Sequence, residues 1–141
     1  SVIGHTKTTP RDMQQRGAAN IVEAMDTNGV RRLVVLTGAG VRSPGDAPRA
    51  IDGLIRFALK LLQPDVLADS EAYAETVRSS DLDWTVVRAP MLHDGAASAN
   101  YTVGAVGTGP GPRASRGTVA RFILGVLVQA SHVREAPMVS D

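Results

Sequence analysis

Two short, continuous apolar segments constrain the fold of this chain more than any other feature. Residues 32–37 read Arg-Leu-Val-Val-Leu-Thr, and residues 84–88 read Trp-Thr-Val-Val-Arg. Runs without polar alternation are typical of parallel strands that are covered by helices on both faces. We also predict that residues 1–4 are the end of a buried strand. Strand, helix and strand in this order predict a parallel pair joined by a right-handed crossover.

Helical spacing of apolar residues fills the segments between these strands. In the first helix, Thr9 is the predicted N-cap and Pro10 the first helical residue, while Gly29 supplies the left-handed stop. Pro64 is expected to end the second helix before the third begins. The remaining elements are predicted as helices over residues 50–62, 68–80 and 117–129, a short strand over 101–106 and an edge strand over 136–139. This alternation is typical of the α/β class.

Composition excludes several function classes. The chain has 141 residues, 43% of them hydrophobic, and a formal net charge of +1, which argues against a nucleic-acid-binding or membrane-binding surface. It has no cysteine, so disulfides and thiolate chemistry are excluded and we expect a cytoplasmic protein. The longest apolar stretch, residues 122–128, is too short to span a bilayer. The three histidines are far apart in sequence, and we expect no metal site.

The predicted first strand has no neighbouring strand in the sequence on one of its edges. Ser1 is not an initiator methionine, and it falls inside the predicted first strand. A parallel strand with an open edge is prone to aggregation. We therefore expect either a missing N-terminal segment or another chain beside this strand, and we interpret residues 1–141 as one domain that is incomplete at its N-terminus.

Three stretches, taken in order, resemble the NmrA-like atypical short-chain dehydrogenases. These are residues 17–25 with 29–37, residues 69 and 75–90, and residues 115–122. The most specific of them is the run Asp81-Leu82-Asp83-Trp84-Thr85-Val86-Val87-Arg88-Ala89-Pro90. The branch that contains flavin reductase and biliverdin IXβ reductase is similar in the same pattern.

The resemblance implies a fold, a cofactor and a site. The fold is a Rossmann-like, doubly wound parallel sheet, of which this chain holds the C-terminal portion only. The cofactor is NADP or NAD, bound across the carboxyl ends of the strands. Backbone groups at those strand ends are expected to be free for a ligand. Carried over by position, the cofactor-binding residues are Gly4, His5, Thr37, Ala89, Pro90 and Met91, and Thr37 is in addition the candidate catalytic residue that polarises a carbonyl.

The family also has a glycine-rich loop that holds the pyrophosphate at a helix N-terminus. Two segments are superficially similar to it, Gly38-Ala39-Gly40 and residues 107–112. The first is followed by Ser-Pro-Gly-Asp, which does not open a helix, and prolines remove amide donors from the second. We predict that both are ordinary turns and that the phosphate loop would lie upstream of Ser1.

The expected catalytic pair departs from the superfamily pattern. Short-chain dehydrogenases commonly use Tyr with Lys four residues later, but Tyr73 is followed at that spacing by Val77. Relatives often place Lys or His where this chain has Ser70, and Asp where it has Thr118. We therefore expect Tyr73 to be a packing or surface residue.

Two functions remain open, with an inactive fragment as a third possibility. The first is an NAD(P)H-dependent oxidoreductase that transfers hydride to a flavin-, quinone- or carbonyl-like small molecule, with the proton supplied by solvent. The second is a non-catalytic, NmrA-like module that senses NAD(P) and regulates a partner. The missing dyad favours the second, whereas the strand-end positions suit both.

Overall fold

The computed structural model describes residues 1–6 and 8–141. Helices and strands alternate along this part of the chain. The helices are α1 (Met13–Thr27), α2 (Ala50–Leu62), α3 (Pro64–Arg78) and α4 (Arg116–Val128), and the strands are β1 (Arg32–Gly38), β2 (Asp83–Ala89), β3 (Met91–His93), β4 (Thr102–Gly104), β5 (Arg113–Ser115) and β6 (Met138–Ser140).

The main sheet has four strands in the order β1-β2-β6-β4. β1 and β2 pair in parallel along their full length, from Arg32 opposite Asp83 to Gly38 opposite Ala89. β6 continues the sheet parallel to β2, and β4 pairs antiparallel to β6. The short strands β3 and β5 form a separate parallel pair.

Helices cover both faces of this sheet, as the continuous apolar strands require. On one face, Leu33 and Val35 of β1 pack in a core with the α3 residues Tyr73 and Val77. On the other face, Val34 packs with side chains of β2, β6 and α4, namely Val87, Val139, Val119, Phe122 and Val126. Since successive strand residues point to opposite faces, one apolar run serves two cores. The predicted doubly wound α/β architecture is confirmed.

The prediction of a buried first strand over residues 1–4 is wrong. Of residues 1–4, only Ser1 pairs with β1. Its amino group donates to the Val34 carbonyl at 2.6 Å, and the Leu36 amide donates to the Ser1 carbonyl at 3.0 Å. Val2 is 68% exposed. A single residue in register does not make a strand, and the next side chains extend into solvent.

The start of α1 also differs from its prediction. The helix begins at Met13, and the Thr9 hydroxyl donates to the Thr6 carbonyl instead of capping it. Asp12 stands at the N-cap, but its side chain makes no capping hydrogen bond to a described residue. The cap comes from α3 instead, because the Asp69 carboxylate accepts the first-turn amides. Local sequence contains no signal for a cap supplied by another helix.

Three further predictions differ from the structure. Pro64 does end α2, but it is itself the first residue of α3. At that position a helix makes no backbone hydrogen bond through the amide, so the missing amide hydrogen of proline is not destabilising. β6 is not an edge strand, because it lies between β2 and β4. The predicted strand over residues 101–106 is limited to β4. β3 and β5 were not predicted, because three residues are too few to show a periodicity.

The most apolar helix is α2, but its apolar side chains are not buried. Leu54, Phe57 and Leu61 are each more than 60% exposed, and the helix packs mainly on α3. α2 has 13 residues. Among the described residues, no helix combines the length and apolar character needed to cross a membrane.

Candidate cofactor site at the strand carboxyl ends

Four of the predicted site residues lie together at the carboxyl ends of β1 and β2. Thr37 stands beside Arg88 in the parallel register, and Gly38 stands beside Ala89. Pro90 and Met91 continue directly from Ala89. In a doubly wound sheet this edge is where ligands bind, because helix N-termini and loops converge there.

The Thr37 hydroxyl is the most informative polar atom at this edge. Thr37 is 6% exposed, and its Oγ1 atom has no hydrogen-bond partner among the described residues. Buried side-chain oxygens are nearly always hydrogen-bonded. An unpaired hydroxyl at a strand end is therefore a candidate hydrogen-bonding group for a ligand.

The backbone groups beside Thr37 are less available than the sequence suggested. The Ala39 amide donates to the Ala89 carbonyl at 2.8 Å, and the Met91 amide donates to the Pro112 carbonyl at 3.2 Å. The expectation of free backbone groups at the strand ends is thus wrong for Ala89 and Met91. These bonds join the two strand-end loops, so the groups stabilise the edge instead of facing a ligand.

Gly4 and His5 lie on the N-terminal segment, which leaves the sheet beside β1. A side chain added at Gly4 would meet nothing within 4 Å, so the segment is open to solvent there. His5 is turned towards the protein, and its Nε2 atom lies 2.6 Å from Oδ2 of Asp69 on α3.

Asp69 is the centre of a hydrogen-bonded cluster that the sequence did not reveal. Its Oδ2 accepts the Gln14 amide at 2.8 Å and its Oδ1 accepts the Gln15 amide at 3.0 Å. The Gln14 side chain donates to the Ile3 carbonyl and accepts from the Ser70 hydroxyl. The cluster joins the N-terminal segment, α1 and α3. The only sequence signal for it was an Asp on the inner face of a helix.

A buried ion pair fixes the loop that follows β1. Arg88 is 1% exposed, and its Nη1 donates to Oδ2 of Asp46 at 2.6 Å. Burial disfavours the charged carboxylate, but hydrogen bonds from Arg88 and the Ser43 amide outweigh it, so the pKa of Asp46 is lowered. Asp46 also accepts the Val106 amide. One carboxylate therefore joins β2 to two loops.

Both glycine-containing segments are turns, as predicted. After Gly38-Ala39-Gly40, the Val41 amide donates to the Gly38 carbonyl, and no helix begins before Ala50. Gly107 has a φ of +83°, and a Cβ there would lie 1.9 Å from the Ala47 carbonyl oxygen. Its glycine serves a close approach between two loops.

Tyr73 and the two positions where relatives carry other residues, Ser70 and Thr118, pack or form hydrogen bonds within the protein. Tyr73 is fully buried in the core between α3 and the sheet, as a packing residue, and burial raises its pKa. Ser70 donates to Gln14. Thr118 donates to Asp141. Within the described residues, no group of three or more His, Cys, Asp or Glu side chains could hold a metal ion.

Two surface cavities are present among the described residues. One of about 520 Å³ lies between α1 and α3, and one of about 620 Å³ lies beside Trp84 and Arg134. Neither is lined by the six predicted site residues.

Comparison with known structures shows the same fold in longer chains. An anaerobillin reductase, ChuY, from Escherichia coli O157:H7 superposes with a TM-score of 0.76 at 14% identity, over 99% of this chain and 62% of its own. A short-chain dehydrogenase/reductase from Veillonella parvula, in complex with NADP, gives 0.74 at 20% identity, over 99% and 61%. The oxidoreductase ylbE from Lactococcus lactis gives 0.73 at 14% identity, over 99% and 60%. The chain thus spans about three fifths of the length of these structures.

Sequence comparison assigns the family. No functionally curated protein matches the chain. The profile of a family described as NAD(P)H-binding matches residues 1–130. That match covers most of the chain, and it confirms the predicted resemblance and the predicted class of cofactor. With its parallel β1–β2 pair covered on both faces, the chain belongs to the NAD(P)H-binding family of Rossmann-like domains.

Proposed function

We propose that the protein carrying this chain is an NAD(P)H-dependent oxidoreductase of the atypical short-chain dehydrogenase type. Its acceptor would be a flavin-, quinone- or carbonyl-like small molecule. The observation that carries the proposal is the buried Thr37 hydroxyl, which lacks a partner among the described residues at the end of β1. The Veillonella parvula structure with NADP supports NADP or NAD as the cofactor.

The chain's own residues have separate tasks in this proposal. Gly4 and His5 would bind the dinucleotide from one side, and Ala89, Pro90 and Met91 would line the nicotinamide side. The bound cofactor supplies the hydride. The Thr37 hydroxyl would donate a hydrogen bond to the acceptor oxygen and so stabilise the negative charge that develops there. A donor that is already buried and unpaired needs no reorganisation to do this.

Two measurements test this function. The purified protein is titrated with NADPH, and NADPH oxidation is then assayed with quinone, flavin and carbonyl acceptors. Replacing Thr37 by Val removes the hydroxyl while keeping the shape of the side chain. We expect turnover to fall by about 10²-fold, since one oxyanion donor is lost, while the Kd for NADPH changes little. Thr37→Ala is expected to act in the same direction. Equal losses of turnover and binding would exclude the electrophilic role of Thr37.

A matched control is available on α3. Among the described residues, the Thr76 hydroxyl donates only to the Ala72 carbonyl within its own helix. Thr76→Val should therefore leave both NADPH binding and turnover within about twofold of the unmodified protein, because only a local helix bond is lost.

A second function, a non-catalytic NAD(P)-sensing module, is favoured by one observation. The side chain at the position of the usual Lys or His, Ser70, is a hydroxyl that is already bonded to Gln14. NADPH binding without turnover on any of the three acceptor classes would support this alternative over the oxidoreductase.

A further inference from the structure

His5, one of the proposed cofactor-binding residues, forms a histidine–carboxylate pair with Asp69 of α3. His5 Nε2 lies 2.6 Å from Asp69 Oδ2, and the side chains are 11% and 1% exposed, respectively. The pair joins the N-terminal segment to α3, across 64 residues of sequence. It is therefore held by the tertiary fold and not by a local turn.

The surroundings of Asp69 assign the direction of this hydrogen bond. The same carboxylate accepts the amides of Gln14 and Gln15, so both of its oxygens already act as acceptors. An acceptor at 2.6 Å requires that Nε2 carry the hydrogen. In the neutral ring, Nδ1 is then the nitrogen with the lone pair.

The Nδ1 atom of His5 has no hydrogen-bond partner among the described residues. Within residues 1–6 and 8–141 it makes no hydrogen bond, and it is not among the buried atoms without partners. His93 provides a contrast, because its Nε2 bonds to Asp141 and its Nδ1 accepts the Gly95 amide. Of these two pairs, only His5–Asp69 leaves a ring nitrogen without a hydrogen bond to a described residue.

The position of His5 suits proton transfer at the strand edge. The segment that carries it starts beside β1, where the Leu36 amide donates to the Ser1 carbonyl, and Thr37 is the residue after Leu36. Tyr73 is buried in the core, and the Ser70 hydroxyl donates to Gln14. Among the described residues, Tyr73 and Ser70 are therefore not placed to donate a proton at the strand edge, which leaves His5 as the titratable residue among the proposed binding residues.

We propose that His5, oriented by Asp69, is the proton donor for reduction of the acceptor. This inference rests on the oxidoreductase function proposed above. In this step the acceptor carbon would gain the hydride that a bound reduced nicotinamide supplies, the nicotinamide being oxidised, and the acceptor oxygen would gain the proton from Nδ1 of the imidazolium. His5 is left neutral with its hydrogen on Nε2, and solvent returns the proton to Nδ1.

The decisive variants are His5→Ala and His5→Gln, tested in the full-length protein with NADPH and a carbonyl or quinone acceptor. We expect kcat to fall by about 10²-fold, the usual contribution of a general acid, while the Kd for NADPH rises by a smaller factor because one proposed binding residue is lost. Added imidazole should restore at least a tenth of the lost rate to His5→Ala and should not accelerate the unmodified protein. Retained thermal unfolding transitions would show that both variants are folded.

The control is His93→Gln, which alters a pair with no free ring nitrogen. It should keep kcat within about twofold and show no rescue, because no proton donor is lost. A second readout needs no turnover: the ¹⁵N imidazole spectrum should identify neutral His5 as the Nε2–H tautomer.

The outcomes separate the two proposals. If the unmodified protein oxidises NADPH and His5→Ala does so equally well, His5 is not the donor, although the oxidoreductase function stands. A loss without imidazole rescue, or an Nδ1–H tautomer, would likewise assign His5 a structural role. If the unmodified protein binds NADPH but reduces none of the acceptors, the oxidoreductase function itself fails, and the proton-donor role fails with it.

Discussion

Asp46 and Arg88, which are 42 residues apart in sequence, form an ion pair at 2.6 Å with side-chain exposures of 9% and 1%. Arg88 also donates to the carbonyls of Ala136 and Val41. The guanidinium therefore joins the loop after β1, the strand β2 and the segment before β6. Because Ala89 and Pro90 follow Arg88 directly, this pair also positions one side of the candidate cofactor site.

Removing the acidic partner should be strongly destabilising. In Asp46→Ala the Arg88 charge stays buried without its counterion, and we expect a loss of about 3–5 kcal/mol in the free energy of unfolding. Urea denaturation measures it. Asp94→Ala is the control, because Asp94 pairs with Arg116 at the surface and should contribute less than about 1 kcal/mol. Equal effects of the two variants would contradict this assignment.

Stability should depend on pH through the same carboxylate. The pKa of Asp46 is lowered in the folded protein, so the unfolded state binds more protons in the acidic range. The stabilisation is complete above the ordinary aspartate pKa of about 3.9 and is lost as the pH falls through the lower folded value.

Asp46→Asn lacks this titration. We expect the difference in unfolding free energy between the unmodified protein and Asp46→Asn to be constant from pH 7 to about 5 and to shrink below about pH 4, where Asp46 becomes protonated in the unfolded chain. Urea midpoints at successive pH values test this. A difference that persisted unchanged to pH 2 would show that the Asp46 charge is not the stabilising feature.

Gly107 should not tolerate a side chain. At a φ of +83°, a Cβ would lie 1.9 Å from the Ala47 carbonyl oxygen, which belongs to the backbone and is not easily displaced. We expect Gly107→Ala to lose about 2–4 kcal/mol of unfolding free energy, from left-handed strain and from the clash together.

Gly53 provides the matched control for Gly107. It lies within α2, and a Cβ there would meet nothing within 4 Å. Gly53→Ala should be neutral or stabilise by up to about 1 kcal/mol, because alanine is the better helix former. Thermal unfolding of the two variants checks the contrast, which would fail if both substitutions behaved alike.

Ser115 should contribute a helix cap. Its Oγ accepts the Thr118 amide at 3.0 Å at the start of α4. Ser115→Ala should cost about 1–2 kcal/mol in unfolding free energy, as expected for a lost N-cap. Asp12, at the N-cap of α1, makes no side-chain cap bond. Asp12→Ala should therefore change stability by less than about 0.5 kcal/mol, and a larger loss than that of Ser115→Ala would overturn the comparison.

The sequence alone determined the central architecture. The continuous apolar runs of β1 and β2 require cover on both faces, and the helical spacing between them supplies it. The same patterns located α1, α2 and α4 to within a few residues, and the glycine segments were correctly interpreted as turns. These features are local, because each depends on periodicity or on the φ angle of a single residue.

Only the tertiary structure decided how the candidate site is assembled. The α1 cap comes from Asp69, the loop after β1 is fixed by Arg88, and β6 lies inside the sheet instead of at its edge. Each of these depends on partners that are distant in sequence, and a polar side chain does not indicate by its own identity which distant group it will meet. For the same reason, only the fold shows that Thr37 is buried without a partner among the described residues and that His5 faces Asp69.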